Sequence, residues 1–468
     1  MARATSPTEA TAVATSRARP RTVRRWAPRL VALGEFVDGY DLLVMGAALL
    51  YLTPAFGLTD GQKGLLAAIT FIGAALGVVL FGELADRLGR RLIFILNLLF
   101  FVAAAIAAAF ANSVTELMIA RFAIGVGVGM DIPTSASYLA EIAPKARRGR
   151  IAGSLPNIMW LGGAITSVIV ALVLDPITGA DTWRWLFGLA AIPALLVLAG
   201  RQILPESPRW LRAHGREAEA VAVFETMGLP VPPETLARKR RYRDLFVRPN
   251  GKRTAAVVAF FACNSFGGAV VTIAGPMVID STGIGKDNAL YFSLGGFVVG
   301  LTAVLIGFQI IDTVDRRKLG LWTCAGTFAA AIGIAVVGAS SPAILLFCFL
   351  AFSAGTWLGP GVLAWVWTAE MYPTRMRALG AGVTQSVCRL AIAGNVYLAP
   401  FLLKSMGLEA VAIYGLGYLG CIAVILAAPF FATNDLELEE AADEQARAAT
   451  AEPAAMMPQP VRELARTR

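Results

Sequence analysis

Ionisable side chains interrupt the apolar stretches of this chain at positions where they could take up and release protons. Glu35, Asp38 and Asp41 recur at every third position, so they share one face if the stretch around them is helical. A carboxylate binds its proton less tightly beside a guanidinium and more tightly when it is buried alone. His214, the single histidine, falls in the central polar stretch. Proton handling within the apolar stretches must therefore fall to carboxylates.

Asp131 is a further carboxylate within an apolar stretch, close to Pro133. An ionised group inside a membrane costs about 3 kcal/mol or more, so it is kept where it is paired, hydrated or used. Asp131 could be a second proton site or could hydrogen-bond a substrate. Alternatively, it only holds water at the main-chain carbonyl that Pro133 leaves without a hydrogen bond.

Arg389 is the residue whose chemistry points most directly to a substrate. It lies thirteen residues into the apolar segment 376–403, which is ~20 Å from the start of that segment if it forms a helix. In a membrane this is too deep for its guanidinium to reach the surface easily. Because guanidinium groups match carboxylates in shape and charge, we predict that Arg389 binds the acid group of an anionic substrate. The alternative is that it pairs with Asp38 or Asp131. Other residues could complete a substrate cavity, although each could equally be a packing residue: Asp131, Asn157, Trp160, Asn264, Trp365 and Asn395.

The elements that must position these side chains are long apolar segments. Hydrophobic residues make up 57% of the 468 residues, which is too apolar for an ordinary soluble protein. Twelve segments approach or exceed the ~20 residues that span a membrane as a helix: 27–54, 62–82, 92–112, 114–140, 150–174, 183–204, 254–280, 288–311, 318–340, 342–370, 376–403 and 408–432. The prediction is an all-α membrane protein with two pseudo-symmetric six-helix bundles, 26–204 and 254–432.

The polar stretches separate these bundles and carry most of the positive charge. The net charge is +9, and the arginine and lysine clusters all fall on one side of the membrane if the N-terminus starts inside. This asymmetry places the central loop 205–253, the basic tail 1–25 and the tail 433–468 in the cytoplasm. Both tails are rich in Ala, Pro, Arg and Glu, and we expect them to be disordered. It indicates a multi-pass protein of the plasma (inner) membrane and argues against a nucleic-acid partner.

Charged motifs recur at matching places in the two halves of the chain. The stretch from Asp86 to Arg91 is echoed from Asp312 to Lys318, and Glu141-x-x-Pro144 is echoed by Glu370-x-x-Pro373. Acids and arginines at such turns could form ion pairs between helices that break as an inner gate opens. The alternative for the arginines is that they only orient the chain. The gating candidates are Asp86, Arg87, Arg90, Arg91, Glu141, Arg148, Glu206, Arg209, Asp312, Arg316, Arg317, Glu370 and Arg377.

The ordered set of motifs resembles the major facilitator superfamily and, within it, the sugar-porter branch. Gly82-x-x-x-Asp86-Arg87-x-Gly89-Arg90-Arg91 resembles the signature loop of the superfamily, and PESPRWL at 205–211 matches the signature of the branch. The resemblance implies the major facilitator fold and transport by alternating access. It also pairs Asp41 with Arg121 as a proton-coupling switch, with Asp38 on the same helix face. A static ion pair is the alternative.

Other stretches depart from sugar porters and are similar to acid-transporting branches. The Gln-Gln pair that binds sugar in the seventh helix of that branch aligns here with Cys263-Asn264-Ser265, and the glutamine of the fifth helix aligns with Gly163. Asp38-Gly-Tyr-Asp41 is similar to an element of aromatic-acid/proton symporters. Gly129-Met-Asp131-Ile-Pro133 is similar to one of phosphate/proton symporters, although phosphate itself is disfavoured because the seventh-helix acid of that family has no match.

We therefore expect a proton-coupled symporter that imports a small polar metabolite, and we favour an organic acid, aromatic acids included, or a similar anion. A sugar or polyol/proton symporter remains an alternative, and a drug or metabolite exporter is a less favoured one. The sequence has no nucleophile–base constellation and no metal cluster, so we do not expect an enzyme. No metal or cofactor is expected beside the proton gradient. The expected partners are the lipid bilayer, protons and a small-molecule substrate, and the expected state is a monomer.

Overall fold

The computed structural model describes residues 20–142, 155–231, 242–247, 250–283, 285–311, 313–337, 340–372 and 377–431. Arg148 and Asp312, the side chains of Asp86 and Arg377, and most of both predicted tails lie outside the described residues. The helices are α1 Pro20–Phe56, α2 Asp60–Leu88, α3 Arg90–Ala109, α4 Val114–Ile142, α5 Leu155–Thr178, α6 Thr182–Leu189, α7 Ala191–Arg201, α8 Pro208–Ala213, α9 Glu217–Met227, α10 Asn250–Thr272, α11 Gly275–Asp280, α12 Lys286–Ile310, α13 Arg316–Val337, α14 Pro342–Thr356, α15 Val362–Met371, α16 Arg377–Met406 and α17 Ala410–Ala427.

The described helices provide twelve membrane crossings. Ten stretches are long and apolar enough to span a membrane, and two of them, 155–201 and 379–427, each contain two crossings. The first of these holds α5 and the α6–α7 pair, and the second holds α16 and α17. The N half consists of α1 to α7 and the C half of α10 to α17, so the predicted fold class of two six-helix halves is confirmed.

Three predicted segments contain breaks that the sequence did not predict. The segment 254–280 divides after Thr272 into α10 and α11. The segment 183–204 divides after Leu189 into α6 and α7. In the segment 342–370, α14 gives way to a π-helical stretch, Trp357–Gly361, before α15 begins. Pro360 lies within this stretch, and proline cannot donate the main-chain hydrogen bond of a regular helix. The π-helical stretch matters because it shapes the site described below.

The first helix begins at Pro20, inside the stretch predicted to be a disordered tail. Val23 is only 1% exposed and belongs to a buried cluster with Tyr138 and Met227. This packing gives the start of the helix an apolar contact with the rest of the N half. The predicted central loop likewise contains two short helices, α8 and α9.

Within the N half, the helices approach closely at glycines. A Cβ atom on Gly125 of α4 would lie 2.0 Å from the Thr70 carbonyl oxygen of α2. A Cβ atom on Gly39 of α1 would lie 2.0 Å from the Trp160 carbonyl oxygen of α5. Small residues permit such contacts between membrane helices. Through these contacts α1 packs closely on α5, and α4 packs closely on α2.

The two halves are joined at the end of the bundle where α1 ends and α2 begins, here called the distal end. Lys404 of α16 lies 2.8 Å from Asp60 of α2, and Lys286 of α12 lies 2.6 Å from Asp175 of α5. Each of these ion pairs connects one half to the other. The opposite end, where α1 begins, is called the proximal end.

Candidate functional site

Asp41 and Arg121 form a buried ion pair between α1 and α4. Arg121 Nη1 donates to Asp41 Oδ1 at 2.7 Å and Nη2 donates to the Asp41 carbonyl at 3.1 Å. The side chains are 0% and 1% exposed, and the guanidinium lies 5.2 Å from the centre of the Phe187 ring. Asp41 Oδ2 is buried without a hydrogen-bond partner among the described residues. The contact that the resemblance implied is therefore present, while its role remains a prediction.

Asp131 is held by an arginine that the sequence analysis did not select. Arg201, the last residue of α7, donates to Asp131 Oδ1 at 2.7 Å and to Oδ2 at 3.1 Å. Asn97 and Ser135 donate to the same carboxylate at 2.6 and 2.8 Å. Asp131 is 1% exposed. Both carboxylate oxygens are therefore already engaged inside the N half, and this geometry does not support the prediction that Asp131 contacts substrate.

A central cavity lies between the two halves, with an empty volume of about 820 Å³ that includes space open to solvent. Asn157, Trp160, Asn264, Trp365 and Arg389, all predicted to bind substrate, line it. Asn395 does not: its Nδ2 donates to the Phe266 carbonyl of α10. Asn395 therefore fixes α16 against α10, because its amide is used in packing.

Three further residues of interest line the cavity: Glu35, Trp357 and Gln385. Glu35 had been noted as part of the acidic face of α1. Trp357 belongs to the π-helical stretch, and Gln385 precedes Arg389 by one helical turn on α16. The Gly359–Pro360 pair could have indicated an irregular helix beside Trp357. A single glutamine such as Gln385 gives no comparable signal.

Several polar side chains among the cavity-lining residues of the C half are strongly buried. Arg389 is 7% exposed and Gln385 is 3% exposed. The Nε atoms of Arg389 and Trp357, Gln385 Nε2 and Asn264 Oδ1 have no hydrogen-bond partner among the described residues. Arg389 also forms no ion pair within the part of the chain that is described. No direct ion pair of Arg389 with Asp38 or Asp131 is observed among the described residues, although Arg389 lies close enough to Glu35 and Asp38 to interact electrostatically with both.

Aromatic rings form the apolar walls of the cavity. The rings of Trp160 and Trp357 lie 5.5 Å apart between centroids and meet across the two halves. Phe261 and Trp365 form an edge-to-face pair at 5.9 Å. Such walls offer a flat apolar surface against which a ring can stack.

The acidic face of α1 approaches the same region from the N half. Asp38 is 4% exposed, and its Oδ2 has no hydrogen-bond partner among the described residues. Glu35 lines the cavity itself. The cavity therefore combines carboxylates from the N half with amide, indole and guanidinium groups from the C half.

At the proximal end of the N half, a predicted gating acid caps a helix. Glu206 Oε1 accepts from the main-chain N–H of Arg90 at 2.8 Å and from that of Arg91 at 3.3 Å, the first residues of α3. A carboxylate at a helix N-terminus accepts hydrogen bonds from otherwise unpaired N–H groups and interacts favourably with the helix dipole. Glu206 is therefore a cap, and the Arg90 and Arg91 side chains donate instead to the carbonyls of Ala85 and Gln202.

Four other gating candidates, Glu141, Arg316, Arg317 and Glu370, make described contacts within one half. Arg316 Nη1 contacts both Glu370 oxygens at 2.5 and 2.6 Å, which joins α13 to α15, and Arg317 donates to a carbonyl of α17. Glu141 accepts from Ser207 Oγ. Burial raises the pKa of the Glu141 carboxyl, against the opposing influence of the nearby Arg90 guanidinium. The side chains of Arg87 and Arg209 are exposed. These described contacts stiffen each half at the proximal end.

Two halves of six crossings around a central cavity, with a charged pair buried in one half, define a membrane transporter of the major facilitator fold. The chain belongs to the family described as "Sugar (and other) transporter", whose model matches residues 29–442. It is thus a secondary transporter of the sugar-porter kind and a multi-pass membrane protein of bacterial type. The family and its relatives are transporters and not enzymes.

Two relatives and one solved structure illustrate the similarity. The inner membrane metabolite transport protein YgcS of Escherichia coli (strain K12) is 31% identical, over 83% of this chain and 87% of that protein. The D-xylose transporter of Levilactobacillus brevis is 31% identical, over 75% and 80%. The xylose transporter XylE from E. coli, in a partially occluded inward-open conformation, matches with a TM-score of 0.73 at 22% identity, over 87% and 97%. The structural likeness supports the fold.

Proposed function

We propose that this transporter is a proton-coupled symporter in which the Asp41–Arg121 pair is the coupling element. The observation that carries the proposal is the complete burial of this pair, with one Asp41 oxygen left without a partner. Movement of α1 against α4 would separate the carboxylate from the guanidinium, and a buried carboxylate without its partner binds a proton more tightly. Protonation and alternating access are then linked, because each conformation has its own proton affinity. The proton gradient is the only energy source required.

The proximal end faces the cytoplasm in this proposal, with both termini on that side of the inner membrane. The basic clusters around Arg90 and Arg316 lie at this end, in keeping with the preference of cytoplasmic loops for arginine and lysine. The distal ion pairs of Lys286 and Lys404 then close the outward side. The described conformation is consequently one in which substrate would be exchanged with the cytoplasm. We further propose that the chain acts as a monomer.

The substrate is a small polar metabolite, and Arg389 favours one with an acid group. Arg389 is 7% exposed and lines the cavity, and no carboxylate of the described residues forms a direct ion pair with its guanidinium, so the guanidinium is available to an acid group. The second candidate is an uncharged sugar or polyol. It is favoured by the names of the relatives, since the Levilactobacillus brevis protein and XylE are both described as xylose transporters.

Uptake into proteoliposomes tests both parts of the proposal. Purified protein would be given an inward proton gradient and a panel of labelled aromatic acids, aliphatic acids, sugars and polyols. We expect accumulation that an uncoupler abolishes, and we expect Asp41→Asn to lose accumulation while it retains exchange of labelled for unlabelled substrate. Uphill uptake by Asp41→Asn at the parent rate would refute the coupling role. Accumulation of sugars alone would assign the substrate to the second candidate.

A further inference from the structure

We propose that the proximal start of α1 carries a binding site for an anionic phospholipid, formed by Arg21, Arg25, Trp26 and Arg29. The ligand is a lipid whose phosphate has no compensating cation, such as phosphatidylglycerol, in the membrane leaflet at the proximal end. None of these four residues lines the central cavity. The inference therefore goes beyond the proposed transport function.

The three arginines share one exposed face of α1, here called the basic face. Arg21, Arg25 and Arg29 recur at intervals of four residues, which places them one above the other on a helix. All three are exposed. Val23 and Ala27 point away from them, are 1% and 0% exposed, and pack into the N half. The start of α1 thus has an apolar face that attaches it to the protein and a basic face that stays outside.

The protein does not neutralise the basic face among its described residues. No described carboxylate forms an ion pair with Arg21, Arg25 or Arg29. Like charges four residues apart on a helix repel each other. The first turn of α1 also contains no acidic residue, and the positive end of the helix dipole opposes a cation such as Arg21 there. A bound anion would offset both of these unfavourable interactions.

Trp26 adds an aromatic ring to the edge of the basic face. It is 43% exposed, and the guanidinium carbons of Arg25 and Arg29 lie 6.0 and 5.4 Å from its ring centre. Contacts of this kind hold a guanidinium beside an aromatic ring. Tryptophan is enriched where the hydrocarbon of a membrane meets its headgroups. The combination of an indole with arginines therefore fits a lipid headgroup and the first part of its acyl chains.

The length of α1 places this ring at the proximal membrane surface. Trp26 precedes Phe56, the distal end of the helix, by 30 residues, which corresponds to ~45 Å along a helix. A bilayer with its headgroups is about 40–45 Å thick. With Phe56 at the distal surface, Trp26 lies at the proximal surface, and Arg25 and Arg29 lie within one turn of it. This depth favours a lipid headgroup over a soluble phosphate as the occupant.

Arg24 shows that these arginines do more than orient the chain. Orientation depends on the number of positive charges near a membrane helix and requires no particular face. Arg24 is exposed in the same part of α1, but a Cβ atom on Gly228 of α9 would lie 2.6 Å from its Nη1. Its guanidinium therefore lies against α9 and not on the basic face. Arg24→Gln provides a matched control, because it removes the same charge from the same helix.

Native mass spectrometry of the purified full-length protein in detergent measures the binding of single phospholipids. The probes are phosphatidylglycerol and phosphatidylcholine with identical acyl chains. We expect phosphatidylglycerol to bind about tenfold more tightly, because choline neutralises the phosphate of the other lipid. Arg21→Gln, Arg25→Gln and Arg29→Gln should each weaken phosphatidylglycerol binding about fivefold. Trp26→Ala should weaken it about threefold, whereas Arg24→Gln should change it less than about twofold.

Equal binding of the two lipids by the parent protein would overturn the proposal. Equal losses in Arg24→Gln and in the three variants of the basic face would do the same, since only the number of charges would then matter. Circular dichroism checks that each variant is folded. The charge-preserving variant Arg25→Lys should keep most of the affinity, and a fivefold loss in it would contradict a site that recognises negative charge.

Two further measurements use the parent protein alone. Phosphatidylglycerol binding should weaken about tenfold when sodium chloride is raised from 0.05 to 0.5 M, because salt screens exposed charges. Binding that is insensitive to salt would refute a headgroup site on the basic face. Displacement of the lipid by millimolar inorganic phosphate at constant ionic strength would assign the face to a soluble phosphate and refute the lipid. None of these measurements requires transport, so their outcome is independent of the proposed symport.

Discussion

Removal of the Asp131 carboxylate distinguishes a structural ion pair from a second proton site. Asp131 and Arg201 have side chains that are 2% and 0% exposed, and they make two mutual hydrogen bonds. Loss of one partner from such a buried pair costs about 3–5 kcal/mol, because the other charge stays buried without compensation. Asp131→Asn is therefore expected to lower the free energy of unfolding by about 3 kcal/mol, at the lower end because the amide oxygen can still accept a hydrogen bond.

Removal of Arg201 should cost more. Besides Asp131, its guanidinium donates to the carbonyl of Val31 at 3.1 Å and lies 4.5 Å from the centre of the Phe94 ring. Arg201→Met leaves these groups unsatisfied, so about 5 kcal/mol is expected. The double variant Arg201→Met/Asp131→Asn carries no net charge at the site. Its loss in the free energy of unfolding should therefore be less than half of the sum of the losses in the two single variants.

The assay is denaturant unfolding of the purified proteins in detergent, followed by tryptophan fluorescence, with exchange of labelled substrate as a test of function. A structural pair predicts reduced stability and retained exchange in the double variant. The reasoning fails if Asp131→Asn unfolds like the parent and loses only proton-driven uptake. That outcome would make Asp131 a proton site, which was one of the alternatives that the sequence left open.

Three shorter predictions concern packing, the distal end and pH. Gly125→Ala should destabilise the N half by about 1–3 kcal/mol, because its Cβ would lie 2.0 Å from the Thr70 carbonyl oxygen; thermal unfolding measures this. Lys286→Ala removes a part-exposed ion pair with Asp175, worth about 0.5 kcal/mol, and should roughly double the rate at which a cysteine introduced at the distal end is labelled. Glu141→Gln should raise the unfolding temperature at pH 8 but not at pH 4. Burial raises the pKa of Glu141 in the folded protein, so the folded state holds the proton more tightly than the unfolded state does. The stability of the parent protein therefore falls as the pH rises above the ordinary pKa of a glutamate.

Matched controls accompany each of these. Gly127→Ala lies in the same helix as Gly125, but its Cβ would be 3.4 Å from the nearest atom, so it should have little effect. Lys318→Ala removes a 3.9 Å pair confined to one half and should leave distal labelling unchanged. Glu225→Gln alters an exposed glutamate and should show no pH-dependent gain. Equal effects in variant and control would refute the corresponding prediction.

The sequence was informative about the membrane helices and the charges at their centres. Segment length and hydropathy identified the twelve crossings because a membrane imposes both on every spanning helix. The family resemblance placed Asp41 opposite Arg121, and the contact is present at 2.7 Å. Arg389 lies within α16, which begins at Arg377, because position along a helix follows from residue count alone.

Other features depend on tertiary contacts that leave little trace in one sequence. Arg201 lies at the last residue of its helix, where an arginine is normally explained by membrane orientation. Its contact with Asp131 requires Gly34, because a Cβ there would be 2.1 Å from Arg201 Nη2. Gln385 was missed because its significance arises from burial and a missing partner. Asn395 was assigned to the cavity because a periodicity argument cannot distinguish the cavity face of α16 from the face that packs on α10.

The charged pair lies inside the N half, whereas the cavity is lined from both halves. Asp41 and Arg121 come from α1 and α4, while Asn157 lines the cavity from the N half and Arg389 from the C half. Among the described residues, the hydrogen bonds of the pair join Asp41 and Arg121 to each other. Thermodynamic linkage between proton and cargo is therefore transmitted by movement of helices, α1 against α4 and the two halves across the seam between them. Leak and slippage are then expected from substitutions in the seam that alter neither binding constant.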